Sequence, residues 1–170
     1  MYHVGMACGI LVGALVGLLL VRLMFKYKLL DKTFDERQEL ARGKAFKCAF
    51  FTLLVSLYVY AIVDDCVGRW CDTLVGVTIC MAVSLLVFAV ICINKDAYLS
   101  LRERPRQVMV LFALLGIFNL GLGGIYLSQG ELIEEGILTL RAVNPIVGAM
   151  SLVILVVYMI NFALREKEAE

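Results

Sequence analysis

Residues 31–47, DKTFDERQELARGKAFK, carry the densest polar chemistry in the chain. Four acids (Asp31, Asp35, Glu36, Glu39) alternate with five bases (Lys32, Arg37, Arg42, Lys44, Lys47). Paired carboxylates act as acid and base when their surroundings push the two pKa values apart. Acids interleaved with bases on a solvated helix have no such surroundings, so no catalytic residue is assigned. A second cluster joins Asp64, Asp65 and Asp72 to Cys66 and Cys71. The two cysteines are five residues apart and could close a disulfide if the chain turns enough to bring their Cα atoms within about 7 Å. As metal ligands the cluster mixes hard carboxylates with soft thiolates and lacks a nearby imidazole, so no metal is assigned. His3 is the only histidine. That removes paired-histidine zinc sites and leaves no marked serine or cysteine beside it for a nucleophilic triad. No phosphate-binding glycine loop, dinucleotide fingerprint or G-x-S-x-G elbow occurs either, and no cofactor is expected.

The elements that must position these residues are membrane spans. The chain has 170 residues, 62% of them hydrophobic, and a mean hydropathy of +0.90. A soluble domain of this size cannot hide that much apolar surface. Runs long enough to cross a hydrocarbon core recur along the chain. They predict an all-α fold, a polytopic transmembrane helical bundle forming one integral membrane domain. About five spans are expected, at 4–25, 46–63, 73–93, 107–127 and 143–164, with a juxtamembrane helix on the cytoplasmic side. The N-terminal stretch lacks a basic region ahead of its apolar run, so it is expected to stay as a span and not to be cleaved as a signal peptide.

The first span carries Gly5, Gly9, Gly13 and Gly17 at spacing four, one face that allows close helix packing, within the chain or between copies as a homo-oligomer. Arg22 near its inner end is placed to snorkel to the headgroups. Thr33 with Glu36 three residues on reads as a helix start. Acids early and bases late in 35–47 suit the helix dipole. The simplest structure is a helix that begins at the membrane surface and runs on into the second span.

The run FDERQELARGKAFKCAFF, headed by Asp35-Glu36-Arg37-Gln38 and followed by Arg42 and Ala45, resembles the signature of a family of small uncharacterised bacterial membrane proteins common in Firmicutes. In that family the run also lies between the first and second hydrophobic segments. The resemblance covers about 15 residues and brings no activity, cofactor or catalytic residue with it. Members are often encoded beside a small helix-turn-helix regulator, so the resemblance implies signalling or regulation over catalysis, by association only.

Further along, Tyr58, Tyr60 and Trp70 are expected at the membrane interface. Cys80 and Cys92 read as small buried hydrophobes. Pro105 suits a helix start. Asn119, Gly121, Gly123 and Gly124 mark the fourth span, with Asn119 and Gly123 expected in helix packing. Residues 128–141, with Glu131, Glu134 and Glu135 among apolar neighbours, read as a short amphipathic helix on the outer surface or a re-entrant piece. Asn144 is expected to cap the fifth span, with Pro145 at its first position.

Orientation follows from the bases. Of the 16 Lys and Arg residues, all but Arg69 and Arg141 fall at the first, third and fifth boundaries. The positive-inside rule places those boundaries and the C-terminus in the cytoplasm, with the N-terminus outside; the resemblance implies that the membrane is that of a bacterial cell. Net charge is +1, so direct nucleic-acid binding is not expected. The spans hold few polar groups (Thr52, Ser56, Thr78, Ser84, Asn119, Ser151, Asn161) and no deep charge, the usual mark of an ion path. The expected role is therefore non-enzymatic, regulatory or signalling, through a cytoplasmic partner protein that contacts Asp35, Glu36, Arg37, Gln38, Glu39 and Arg42. Two rivals stay open: a small-solute or ion transporter or channel component, and a membrane-embedded enzyme.

Overall fold

The computed structural model describes residues 34–99 and 105–168, together with four helical positions ahead of them, Leu15, Leu18, Leu19 and Arg22. The chain divides into two units, Met1–Thr33 and Phe34–Glu170. Of the expected span at 4–25 only those four helical positions are described; its glycine face at Gly5, Gly9, Gly13 and Gly17 lies outside the described residues, as does Thr33.

The second unit is helical apart from one small hairpin. Its helices are α1 (Glu36–Val67), α2 (Thr73–Asn94), α3 (Pro105–Ser128) and α4 (Val143–Glu168). Each of the four stretches is long and apolar enough to cross a membrane. α2 packs against both α1 and α4, and α4 packs against α3, so the helices stand in the order α1, α2, α4, α3. Successive helices run in opposite directions. One end of the bundle therefore gathers the start of α1, the end of α2 and the start of α3. The other gathers the connections 68–72 and 129–142.

α1 is a single helix of 32 residues, continuous from the charged stretch into the apolar run, as expected. Its start differs from the sequence reading. Asp35 is the cap, and its Oδ1 accepts from the Gln38 backbone N–H at 2.6 Å while the Asp35 N–H donates to Gln38 Oε1 at 3.2 Å. The capping box thus sits two residues later than the Thr33–Glu36 pair. A carboxylate is the stronger acceptor for the exposed N–H groups of a first turn, and glutamine serves as well as glutamate at the third position.

The segment 128–141 is not an amphipathic helix. Ile133–Glu134 and Ile137–Leu138 form an antiparallel hairpin, β1 and β2. Glu135 (φ 52°) and Gly136 (φ 80°) form its two-residue turn, both left-handed. Such a turn matches the twist of the strands it joins, and glycine enters it without steric cost. Residues 70–72 lie along β2, with the Leu138 N–H donating to the Trp70 carbonyl at 3.0 Å and the Asp72 N–H donating to the Leu138 carbonyl at 2.9 Å. A short 3-10 turn, Leu140–Ala142, then leads into α4. Helical geometry has begun by Val143, so Asn144 lies inside the first turn and does not cap it.

Two buried clusters hold the unit. Cys71, Val75 and Ala142 form one beneath the hairpin, flanked by Tyr60, Trp70 and Ile146. Ala89, Ile93 and Ile154 form the other toward the opposite end, flanked by Tyr98, Phe112 and Tyr158.

Candidate functional site

The charged start of α1 is placed by the turn that follows α2. That turn closes with the Ala97 N–H donating to the Cys92 carbonyl at 2.8 Å and the Asp96 N–H donating to the Ile93 carbonyl at 3.2 Å. Asp96 occupies the left-handed position, φ 55°, where glycine is usual. The closure leaves the carbonyls of 96–99 pointing outward as acceptors, and α1 supplies the donors. Gln38 Nε2 donates to the Asp96 carbonyl at 2.5 Å and to the Leu99 carbonyl at 3.4 Å. Arg42 Nη1 donates to the Ala97 carbonyl at 3.0 Å and, at the limit of hydrogen bonding, to the Tyr98 carbonyl at 3.5 Å. Its guanidinium stands 4.2 Å from the Phe34 ring centroid and 5.6 Å from that of Phe88. A cation held between two rings while it feeds a carbonyl is fixed in orientation as well as position.

These contacts divide the six expected partner residues. Asp35 is taken up by the cap. Gln38 is buried, and Arg42 is half-buried with its head on the 97–98 carbonyls. Both join two parts of this chain, the start of α1 and the turn after α2. Arg37 reaches the Asp96 carboxylate at 3.8 Å, an exposed and long pair. Glu36 and Glu39 are exposed. With Gly43 and Lys47 they form one stripe along the helix, at offsets of three, four and four. The sequence reading did not find the acceptors at 96–99. A backbone carbonyl carries no sequence signal, and the left-handed residue was an aspartate where a glycine would have announced the turn.

Each of the seven in-span polar residues named from the sequence makes a hydrogen bond. Thr52, Ser56, Thr78, Asn119 and Ser151 donate to carbonyls of their own helices three or four residues back. Ser84 Oγ donates across to the Ala49 carbonyl of α1 at 2.8 Å. Asn161 Nδ2 donates to Asn94 Oδ1 at 3.0 Å. A Cβ at Gly123 would stand 2.8 Å from Pro145. Asn119 donates within α3 to the Leu115 carbonyl. Gly116 and Gly148, which the sequence reading did not single out, face each other across α3 and α4.

At the hairpin end Asp72 is the organising side chain. Its Oδ1 accepts from Arg69 at 2.8 Å and its Oδ2 accepts from the Leu140 N–H at 3.2 Å. Arg141 pairs with Glu131. Cys66 and Cys71 are both free thiols, the first exposed and the second fully buried. Burial pushes the Cys71 thiol up, against a hydrogen bond with Tyr60 that pulls it down. No group of acids, cysteines or histidines that could hold a metal occurs among the described residues. Trp70 sits edge-on to Tyr60, ring centroids 6.1 Å apart, while Tyr58 is exposed as an interfacial ring would be. No family model matches the chain, and no curated protein or solved structure matches it either.

Proposed function

We propose that the chain is a non-enzymatic multi-pass protein of a bacterial cytoplasmic membrane that acts in regulation or signalling by presenting the start of α1 to a cytoplasmic partner protein. In this reading residues 4–25 supply a fifth span, the charged end of the bundle lies in the cytoplasm and the hairpin end lies outside. The distribution of Lys and Arg supports that orientation. The carrying observation is the continuity of α1. One helix runs unbroken from the Asp35 cap through the apolar run to Val67, and Gln38 and Arg42 fasten its charged start to the end of α2. The exposed stripe Glu36, Glu39, Gly43 and Lys47 is therefore held by two spans at once. A change in how those spans pack would move it as a rigid body. Acidic at its start and basic at its end, the stripe suits a partner of the opposite order, and such complementarity sets orientation and specificity.

The test is a double charge reversal, Glu36→Lys with Glu39→Lys, in cells carrying the neighbouring genes. It leaves Asp35, Gln38 and Arg42 in place. Insertion is followed by resistance to alkaline extraction, and contacts by crosslinking from the cytoplasmic side. The reading expects normal insertion with loss of a protein that crosslinks to the native chain. An unchanged set of crosslinked proteins, or none with the native chain, overturns it.

A further inference from the structure

Beside the stripe just described, α1 turns a different face toward the end of α2. Arg37, Leu40, Ala41 and Lys44 on α1, Ile91 and Asn94 on α2 and Lys95 just after it line a cavity of about 550 Å³ open to the surroundings. Its volume is that of an ordinary small-molecule site. Leu40, Ala41 and Ile91 are its apolar lining, and Arg37, Lys44, Asn94 and Lys95 carry its donors. Lys44 lies about one turn farther along α1 toward the apolar run than Leu40 and Ala41. Asn94 has its Oδ1 occupied by Asn161, which leaves its amide N–H groups for the cavity. Lys44 and Lys95 are exposed and make no ion pair among the described residues. Arg37 also meets the Asp96 carboxylate at 3.8 Å across an exposed gap. A pair that long and that wet holds its partners weakly. The lining itself carries three positive charges and no acid.

We propose that this cavity seats the phosphate of an anionic phospholipid, with the phosphodiester between Arg37, Lys44 and Lys95. The shared chemistry would fit a soluble phosphate as well. The position favours lipid. Lys44 and Lys95 stand where the apolar runs of α1 and α2 meet their charged ends, the depth at which lipid phosphates lie if these helices cross a bilayer. Lysine stems reach along apolar surface to place an ammonium at that depth. Basic pockets between spanning helices on the cytoplasmic side hold anionic headgroups by the same means. The proposal rests on the helices crossing a membrane and not on any partner at the Glu36–Lys47 stripe.

The full-length protein, purified in mild detergent, is loaded with equimolar phosphatidylglycerol and phosphatidylcholine and examined by native mass spectrometry. Retention of phosphatidylglycerol over phosphatidylcholine is expected. Each of Lys44→Gln and Lys95→Gln should weaken that preference about fivefold, the effect of one basic side chain near a charged surface. Lys47→Gln, on the same helix but off the cavity, should leave it unchanged. Equal retention of the two lipids, or an equal loss with Lys47→Gln, overturns the proposal. A second measurement avoids substitution. Phosphatidylglycerol with a photoreactive headgroup should crosslink the native protein within 37–44 and 91–95. Crosslinks spread evenly along the spans would refute the site. Inorganic phosphate is the remaining arm: if it displaces the lipid at millimolar concentration, the site is one for soluble phosphate and the lipid assignment falls.

Discussion

At Gly148 the backbone of α4 comes against that of α3, and Gly148→Ala tests whether that approach holds the bundle together. A Cβ at Gly148 would stand 2.9 Å from the Leu120 backbone N, 2.9 Å from Leu120 Cγ and 3.1 Å from the Gly116 carbonyl. Two of those three atoms are backbone and cannot rotate aside, so the helices must separate by several tenths of an ångström. Overpacking of this kind costs about 1–3 kcal/mol, against which alanine recovers roughly 0.5–1 kcal/mol of helix preference. A net loss of about 1–2 kcal/mol is expected. Gly116→Ala makes a useful contrast. Its Cβ would meet Leu152 Cδ2 at 2.5 Å and Cγ at 2.7 Å, atoms of a side chain that can change rotamer, with the Gly148 carbonyl at 3.4 Å. Its loss should be smaller, of order 0.5–1.5 kcal/mol. Gly121 and Gly124 have nothing within 4 Å of an added Cβ, so alanine there should be neutral or mildly stabilising. The assay is unfolding of the purified proteins in mixed micelles by increasing sodium dodecyl sulfate. Gly148→Ala as stable as Gly124→Ala would refute the close approach.

Three further substitutions or labels probe the rest of the unit. Arg42→Lys keeps the charge but loses the planar fork that feeds the carbonyls between Phe34 and Phe88; trypsin cleavage after Lys95 should accelerate several-fold, and unchanged cleavage would count against the clasp. Ser84→Ala removes the bond to the Ala49 carbonyl and should cost about 0.6 kcal/mol in the same micellar unfolding assay, the usual worth of such a bond between membrane helices. Cys66 should react with a thiol label in the folded protein and Cys71 only after denaturation; equal rates would mean Cys71 is not covered as described. Because burial raises the Cys71 pKa, its thiolate is favoured in the unfolded chain, so its contribution to stability is kept at neutral pH and lost as pH rises past the unfolded thiol value near 8.5.

The four described apolar helices were legible because hydropathy over 18 or more residues is a strong signal and lipid leaves the backbone little choice. The continuity of the charged stretch with α1 was legible for a similar reason, since no proline lies between Asp35 and Val67 and Gly43 is the single glycine there. The hairpin was missed because Glu131, Glu134 and Glu135 among leucines and isoleucines imitate a helical stripe. The deciding residue was Gly136, whose left-handed backbone ends any helix at that point. The cap was placed two residues early because two overlapping pairs, Thr33 with Glu36 and Asp35 with Gln38, both fit the box. At the candidate site the charges were found and their direction was not. Spacing alone places Gln38 and Arg42 on one side of α1, at i and i+4, but it cannot say that the α2 turn brings open carbonyls to that side.

Lipid also inverts the meaning of size along these helices. The large side chains of α1 and α3, such as Phe46, Phe51, Tyr58, Leu114 and Phe118, are mostly exposed, while the buried positions of α2 are largely small: Gly76, Cys80, Ala82, Ser84, Ala89 and Cys92. In water that pattern would leave the core unfilled. In hydrocarbon a large side chain gains little by leaving lipid for protein, so association depends on how closely backbones approach and on the few polar bonds that closeness permits. α2 has a neighbour on two sides, and its small residues admit both. Ser84 reaches the Ala49 carbonyl of α1, and Asn94 at its end meets Asn161 of α4. The polar clasp at 96–99 and the hairpin against 70–72 then fix the two ends, where water would otherwise compete for the same groups. Enlarging a small residue on α2 should therefore do more harm than truncating a large one on α1. Ala82→Leu against Phe51→Ala, followed in the micellar assay, puts this to the test, and the reverse order of stability would show that the exposed rings are packed and not facing lipid.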